Sequence, residues 1–213
     1  MSWDKGQNRR LGEVQMRERV VLLCAYVVMV ALVAACAPVA SPKVTITQAA
    51  PAAKTQGDEA TTFTLTSEAF RQEEMIPRRY TCDDENISPP LQWQQPPSGT
   101  MSFALIADDP DAPRGTFVHW VIFNIPADSR SLDEAVPVAR ELANGSRQGL
   151  NSASNNGYTG PCPPSGTHRY FFKLYALDTM LDLPAEANKE ELLAAMEGHI
   201  LAQAELMGRY SRQ

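Results

Sequence analysis

The chain of 213 residues has room for one domain, or one domain with a tail, but not for two large domains. Hydrophobic residues make up 44% of it and charged residues 21%, which excludes a chain that is disordered throughout. The formal net charge is −6 and the basic residues form no stripe, so we expect no nucleic-acid partner. Sixteen prolines against twelve glycines argue against an all-helical bundle, and four scattered cysteines are too few for a disulfide-built fold.

An apolar segment near the N-terminus resembles the signal peptide of a bacterial lipoprotein. Residues 20–35 contain no charged side chain, and four arginines precede them. This run is short for a membrane-spanning helix, which needs about 20 residues, but it suits a signal peptide. Small residues stand directly before Cys36, so we expect residues 1–35 to be removed and Cys36 to be lipidated. Translation would start at Met1 or Met16; the alternative is an uncleaved anchor helix that contains a cysteine.

The segment that follows is predicted to be a flexible tether. Residues 36–60 are rich in Ala, Pro, Thr and Gln and contain no aromatic side chain. Such a composition cannot bury enough apolar area to offset the entropy of ordering it. We therefore expect residues 61–213 to form the folded domain, lipid-anchored at the bacterial cell envelope and outside the cytoplasm. The alternative for residues 43–47 is a poorly patterned edge strand.

The folded part is predicted to contain five or more strands. Residues 62–66 and 91–94 alternate between polar and apolar side chains, which is typical of half-buried strands. Longer, more continuously apolar runs predict buried strands over residues 102–107, 117–125 and 168–177. Proline-rich turns separate these segments. The pattern indicates a mainly β fold, a β-sandwich with peripheral helices.

One helix is predicted late in the chain. Asn188 is a potential N-cap, and the residues after it recur at helical spacing over residues 189–207. The recurring apolar positions are Leu192, Met196, Ile200, Ala204 and Met207. His199 would lie in the middle of this helix, beside Gly198, and we expect it to be structural.

Three aspartates cluster where the strand over residues 102–107 ends. The carboxylates of Asp108, Asp109 and Asp111 repel one another unless donors, a cation or water hold them apart. Taken alone, such a cluster more often serves to form a turn.

Two further histidines lie in predicted strands. His119 stands among large apolar residues, where a lone histidine is more often a satisfied core residue than a ligand. His168 and Tyr170 are two residues apart in one strand and therefore point to the same face. A loop rich in Gly and Pro, residues 157–167, leads directly into His168.

In this order the motifs resemble the phosphatidylethanolamine-binding protein family, and most closely its bacterial branch, often labelled Raf kinase inhibitor-like. They are YTCDDENISPPLQW at 80–93, DDPDAP at 108–113, FVHWVIFNIP at 117–126 and GPCPPSGTHRYFFKLYALD at 160–178. The ending at residues 198–212 is also similar. The resemblance implies a large antiparallel sheet packed against a smaller one, with helices at the ends. It also implies a small pocket at one end of the sheet that binds anions such as a lipid phosphate, without cofactor or metal.

The resemblance assigns residues of this chain to that pocket by their places in the motifs. They are Asp109, Asp111, Pro113, His119, Pro163, Pro164, His168 and Tyr170. The histidines, the tyrosine hydroxyl and loop backbone N–H groups would donate to phosphate oxygens. The aspartates would orient the imidazoles, keep one of them protonated, and accept from an ammonium such as that of an ethanolamine head group.

Three functions follow as hypotheses. The first is a membrane-tethered binding protein, not an enzyme, for a small anionic ligand or a phospholipid head group. The second is an inhibitor or regulatory interaction protein of an envelope protease or other enzyme, with an unidentified protein target. The third is a hydrolase that uses histidines and carboxylates as acid and base or as metal ligands, although neither HExxH nor GxSxG occurs. Whether the protein forms a homodimer is left open.

Cys82 and Cys162 are predicted to form a disulfide. Thiols outside the cytoplasm tend to oxidise, and these are the two cysteines of the expected domain after Cys36. The bond would connect the loop around residue 82 to the pocket loop. The alternative is two separate buried thiols.

Overall fold

A computed structural model describes residues 62–212. The expected signal peptide, the tether and Cys36 lie outside the described residues, so these predictions stand as they were made. Within residues 62–212, no helix has both the length and the apolar character needed to cross a membrane.

The described part is built from two antiparallel sheets. The smaller sheet has the order β1-β2-β5, formed by β1 (Thr64–Thr66), β2 (Leu91–Gln94) and β5 (Ser131–Leu132). The larger sheet has the order β6-β4-β3-β7-β8. Its strands are β3 (Ser102–Asp109), β4 (Phe117–Pro126), β6 (Arg147–Gln148), β7 (Thr167–Leu177) and β8 (Ile200–Ser211). The predicted mainly β sandwich is confirmed.

The main core lies between the two sheets. Alternate residues of the half-buried strands point inward, and the smaller sheet contributes Leu65, Leu91 and Trp93 to this core. The larger sheet contributes residues such as Phe103 and Phe172, and the Trp93 and Phe103 rings meet edge to face with centroids 5.3 Å apart. The continuously apolar strands β3 and β4 are buried because both of their faces are covered.

The helix α1 (Lys189–Met196) covers part of the other face of the larger sheet. Leu192 and Met196 of α1 pack with Ile106, Phe123 and other sheet residues in a second core cluster. Asn188 caps the helix as predicted, because its side chain accepts from the Glu191 backbone N–H while the Glu191 carboxylate accepts from the Asn188 N–H. The capping box fixes where α1 begins.

The helix is shorter than the sequence pattern predicts. It ends at Met196, and residues 200–211, which include three of the five predicted helical positions, form the strand β8. Gly198 has φ +80°, a left-handed conformation that ends helices and favours glycine. From Ala202 to Tyr210, alternate residues join the core between the sheets, so the period-two pattern prevailed over the helical one.

Candidate functional site

A pocket of about 600 Å³ lies at one end of the larger sheet. It forms where β3 ends, β4 begins and β7 begins, because the antiparallel pairing brings Asp109 opposite Phe117, and Asp108 opposite Phe171. Six of the eight predicted residues line it: Asp109, Pro113, His119, Pro163, Pro164 and His168. Strand ends that are far apart in the chain therefore meet at one concave site.

Asp109 and His168 form a buried pair in this pocket. The Nδ1 atom of His168 lies 2.7 Å from Oδ2 of Asp109, and the residues are 7% and 3% exposed, respectively. The other carboxylate oxygen, Oδ1, accepts from the Asp111 backbone N–H at 2.8 Å. Asp109 thus fixes the ring of His168 with a proton on Nδ1, which leaves Nε2 as the ring nitrogen available to a ligand.

His119 is held by a different partner. Its Nδ1 donates to the backbone carbonyl oxygen of Thr159 at 2.6 Å, which again leaves Nε2 available. Burial lowers the pKa of His119 below its ordinary value, although the hydrogen bond to Thr159 and the charge of Asp109 act in the opposite direction. Burial therefore disfavours the charged form of His119.

Tyr170 lies beside both imidazoles but does not itself line the pocket. Its ring centroid is 5.2 Å from that of His119 and 6.5 Å from that of His168. Burial raises the pKa of the Tyr170 phenol, which keeps the hydroxyl protonated. Among residues 62–212, this buried hydroxyl has no hydrogen-bond partner, which is costly for a buried donor.

Asp111 also stands outside the pocket lining, where it anchors the loop that follows β3. Arg169 donates to it from Nε at 2.9 Å, from Nη2 at 2.7 Å and from the backbone N–H at 3.0 Å. These hydrogen bonds lower the pKa of Asp111 to about 2. The role that the structure gives Asp111 is to support the pocket loop.

Asp108, the third member of the aspartate cluster, points to the opposite face of β3. Its oxygens lie 2.9 Å from Nζ of Lys173 and 2.5 Å from Nζ of Lys189, the first residue of α1. Two of the three clustered carboxylates are thus neutralised by basic side chains, while Asp109 faces a histidine. The sequence alone did not separate these roles.

One pocket wall comes from residues that the sequence analysis did not select. Asn151 donates through Nδ2 to the hydroxyl oxygen of Thr159 at 2.9 Å, and the Val118 N–H donates to Oγ of Ser152 at 2.8 Å. Ser152 and Thr159 both line the pocket, and because their hydroxyl oxygens accept in these two hydrogen bonds, neither bond uses the hydroxyl proton. The sequence signal that could have identified this wall is a run of mostly small and polar residues just before the proline-rich loop, NSASNNGYT at 151–159.

Some backbone N–H groups of the pocket lining are committed to other residues of the protein. The N–H groups of Gly115, Thr159 and Gly160 line the pocket but donate within the protein, to Ala112, His119 and Asn86. Pro163 and Pro164 have no N–H to offer. These three N–H groups are thus committed within the protein, and donation by other backbone N–H groups of the loop stays a prediction.

A disulfide supports the same wall. Cys162 lines the pocket and is bonded to Cys82, with their Cα atoms 5.4 Å apart, as predicted. The Cys82 N–H also donates to the Pro161 carbonyl at 3.1 Å. A side chain at Gly160 would place its Cβ 2.6 Å from the Tyr80 carbonyl oxygen, so this close contact requires glycine.

The position of His199, which the sequence analysis placed inside a helix, can also be checked. His199 lies in the turn between α1 and β8 rather than inside a helix, and its Nδ1 is 2.8 Å from the Asp178 carboxylate on the surface. Residues 62–212 contain no cluster of three or more histidine, cysteine or acidic side chains that could hold a metal ion.

Comparisons with known proteins agree with this fold. The sequence profile of the family described as "Phosphatidylethanolamine-binding protein" matches residues 66–211. A UPF0098 protein of Methanothermobacter thermautotrophicus is 60% identical over 148 residues, which cover 70% of this chain and 98% of that protein.

Solved structures are similar as well. A phosphatidylethanolamine-binding protein homolog of Chlamydia trachomatis superposes with a TM-score of 0.66 at 41% identity, over 71% of this chain and 98% of that one. E. coli YbcL, described as a member of the mammalian family, has a TM-score of 0.66 at 31% identity, over 71% of this chain and 99% of its own.

Proposed function

This chain belongs to the phosphatidylethanolamine-binding protein family, and from that premise we propose that its pocket binds the phosphate of a small anion or phospholipid head group. The observation that carries the proposal is the pair of buried imidazoles that line one pocket. His119 and His168 each commit Nδ1 to a protein oxygen, so each keeps Nε2 for a ligand.

The protonation state decides what these nitrogens recognise. A neutral imidazole whose Nδ1 carries the proton presents a lone pair at Nε2, which can accept from the P–OH of a phosphate monoester but cannot donate to an unprotonated phosphate oxygen. A protonated imidazole presents an N–H there instead. His168 faces the Asp109 carboxylate, whereas burial holds the pKa of His119 down. We therefore expect the anion to bind more tightly when an imidazole of the pocket carries a positive charge.

Three hydroxyl groups support the same proposal. Ser152 and Thr159 line the pocket with protons available for donation, and the buried Tyr170 hydroxyl lacks a partner in the described structure. A phosphate group has enough acceptor oxygens to use several such donors at once.

The test is calorimetry with phosphoethanolamine at pH 6 and pH 8. We expect tighter binding at pH 6, because the charged imidazole favours the anion and deprotonation removes that attraction. His168→Ala and His119→Ala should each weaken binding about tenfold to a hundredfold, the loss of about 1.5–3 kcal/mol for a hydrogen bond to a charged group.

His199→Ala is the matched control, because His199 also contacts a carboxylate but lies outside the pocket lining. Its affinity should equal that of the parent at both pH values. If His119→Ala and His168→Ala bind like the parent, or if His199→Ala loses as much as they do, the proposed pocket is wrong.

A hydrolase is the second candidate, and one observation favours it. The hydrogen bond between Asp109 and His168 is the arrangement that orients an imidazole as a general base. Release of inorganic phosphate from phosphoethanolamine that is lost in His168→Ala would support hydrolysis. Recovery of intact ligand after long incubation would support binding alone.

We also propose that the protein is anchored to a membrane of the bacterial cell envelope through a lipid on Cys36. The support is the sequence pattern before Cys36, which lies outside the described residues. Cys36→Ala should leave the chain unprocessed or move it to the soluble fraction, and should abolish metabolic labelling with palmitate. Labelling that survives this substitution would contradict lipidation.

A further inference from the structure

A positively charged side chain stands at the rim of the pocket without an acidic partner. Arg114 lines the pocket and is exposed, and none of the side chains described between residues 62 and 212 forms an ion pair or hydrogen bond with it. Of the described lining residues, Arg114 alone carries a fixed positive charge. It is available for a ligand.

The nearby basic residues are engaged elsewhere. Arg169 is bound to Asp111 through both ends of its guanidinium group. Lys173 and Lys189 are bound to Asp108 on the other face of the sheet. Among the described lining residues the one carboxylate is that of Asp109, which is hydrogen-bonded to His168. Arg114 is therefore the source of positive potential at the mouth of the pocket at a pH where the histidines are neutral.

The backbone holds Arg114 in place. The Gly115 N–H donates to the Ala112 carbonyl at 3.2 Å and closes a four-residue turn, in which Pro113 takes the second position and Arg114 the third. Asp111, just before the turn, is fixed by Arg169. The backbone at Arg114 is thus ordered before a ligand binds, and a rim contact has to order only the side chain.

We infer that Arg114 makes this pocket prefer phosphorylated ligands that carry a second acidic group, such as a carboxylate next to the phosphate. The inference rests on the proposed function, in which the imidazoles take the phosphate. A guanidinium group at the rim then pairs with the second anion in a planar, two-point contact. An ethanolamine head group offers only an ammonium at that place, which Arg114 repels.

Phosphoserine and phosphoethanolamine test this inference, because they differ only by a carboxylate. In calorimetry on the full chain in nonionic detergent, the parent should bind phosphoserine about two- to fivefold more tightly, as expected for an exposed ion pair. The preference should shrink at 0.5 M salt, because exposed charges are screened. Arg114→Gln should remove it, and Arg114→Lys should restore part of it.

Arg71→Gln is the charge-matched control, since Arg71 is exposed but does not line the pocket. It should keep the parent preference. A parent that binds both ligands equally, or an Arg114→Gln variant that keeps the preference, would overturn the inference while leaving the proposed function intact. A parent that binds neither ligand would overturn the proposed function itself.

The glycerol diesters of both compounds distinguish a lipid source from a free solute. A carboxylate preference that persists in glycerophosphoserine over glycerophosphoethanolamine assigns the ligand to lipid head groups. A preference confined to the monoesters assigns it to a free phosphorylated metabolite.

Discussion

Asp108 and Asp109 are neighbours in the chain, but they lie on opposite faces of β3 and have different partners. Asp108 is 1% exposed and binds two lysines, one from β7 and one from the start of α1. Asp109 is 3% exposed and binds one histidine beside an open pocket. Equal burial therefore does not imply an equal role.

The difference lies in what neutralises each charge. Lys173 and Lys189 balance Asp108 permanently, so this cluster fastens α1 to the sheet and leaves no acceptor for a small ligand. His168 balances Asp109 only when it is protonated. A buried carboxylate with a titratable partner can respond to a ligand, whereas one with fixed partners can only stabilise the fold.

The largest effect on stability is expected from loss of the disulfide that supports the pocket wall. The disulfide between Cys82 and Cys162 spans 80 residues of sequence, and the chain-entropy estimate for such a loop is about 4 kcal/mol. Replacing both cysteines by serine should lower the free energy of urea unfolding by up to that amount. It should also weaken ligand binding, because Cys162 lines the pocket.

Peptide mapping of alkylated, unreduced protein checks the bond itself. Neither Cys82 nor Cys162 should react with the alkylating reagent until a reductant is added. Free thiols at both positions would contradict the disulfide.

The next largest effect distinguishes Asp108 from Asp109 by comparing stability with ligand binding. Asp108→Asn leaves two lysines without a counter-charge and should lower the free energy of unfolding by about 2–3 kcal/mol. This is somewhat less than the cost of breaking a fully buried ion pair, because both lysines reach solvent. Asp109→Asn should cost less stability but weaken phosphoethanolamine binding at least tenfold, since it removes the partner of His168. Urea unfolding and calorimetry on both variants measure the two quantities. Equal losses of binding would show that the two faces are not independent.

Most of the fold could be predicted from the sequence. The alternating and continuously apolar runs placed β1, β2, β3, β4 and β7, because side-chain period reports burial on one or both faces. The error over residues 200–207 has a physical cause. Leu192, Met196, Ile200 and Ala204 continue an i, i+4 spacing by coincidence, while Gly198 ends the helix and β8 pairs along β7.

The site was predicted less completely. Motifs identified the histidines and Asp109, but spacing along the chain does not reveal which partner each carboxylate finds. Asp108, Asp109 and Asp111 differ only through residues that are 58 or more positions away in sequence. Ser152 and Thr159 escaped notice because single hydroxyl groups in a polar loop carry no distinctive pattern.

A smaller effect distinguishes the two histidines by pH. Since burial lowers the pKa of His119, the unfolded chain takes up a proton below about pH 6.5 that the folded His119 does not. Stability should therefore fall as the pH falls below that value, by at most about 1.4 kcal/mol between pH 7.5 and 5.5. Ligand affinity should move in the opposite direction, because a charged imidazole in the pocket favours the anion.

His119→Gln, which keeps an N–H donor for the Thr159 carbonyl, should flatten this pH dependence of unfolding. An unaltered slope in His119→Gln would show that another group causes the loss of stability in acid.

The smallest effect concerns Asp111, the carboxylate that supports the pocket loop. The pKa of Asp111 is lowered to about 2, chiefly by the hydrogen bonds from Arg169. The pair of Asp111 and Arg169 therefore stabilises the fold at a pH above the ordinary carboxyl pKa of 3.8, and this contribution is lost as the pH falls towards 2. The Arg169 side chain is half exposed, so solvent screening makes the expected contribution small. Asp111→Asn should therefore be less stable than the parent at pH 7 and nearly equal to it at pH 2.

Asp128→Asn, at an exposed position, serves as the control in urea unfolding at both pH values. If Asp111→Asn is less stable than the parent by the same amount at pH 7 and at pH 2, then the charge of Asp111 does not explain how it holds the loop.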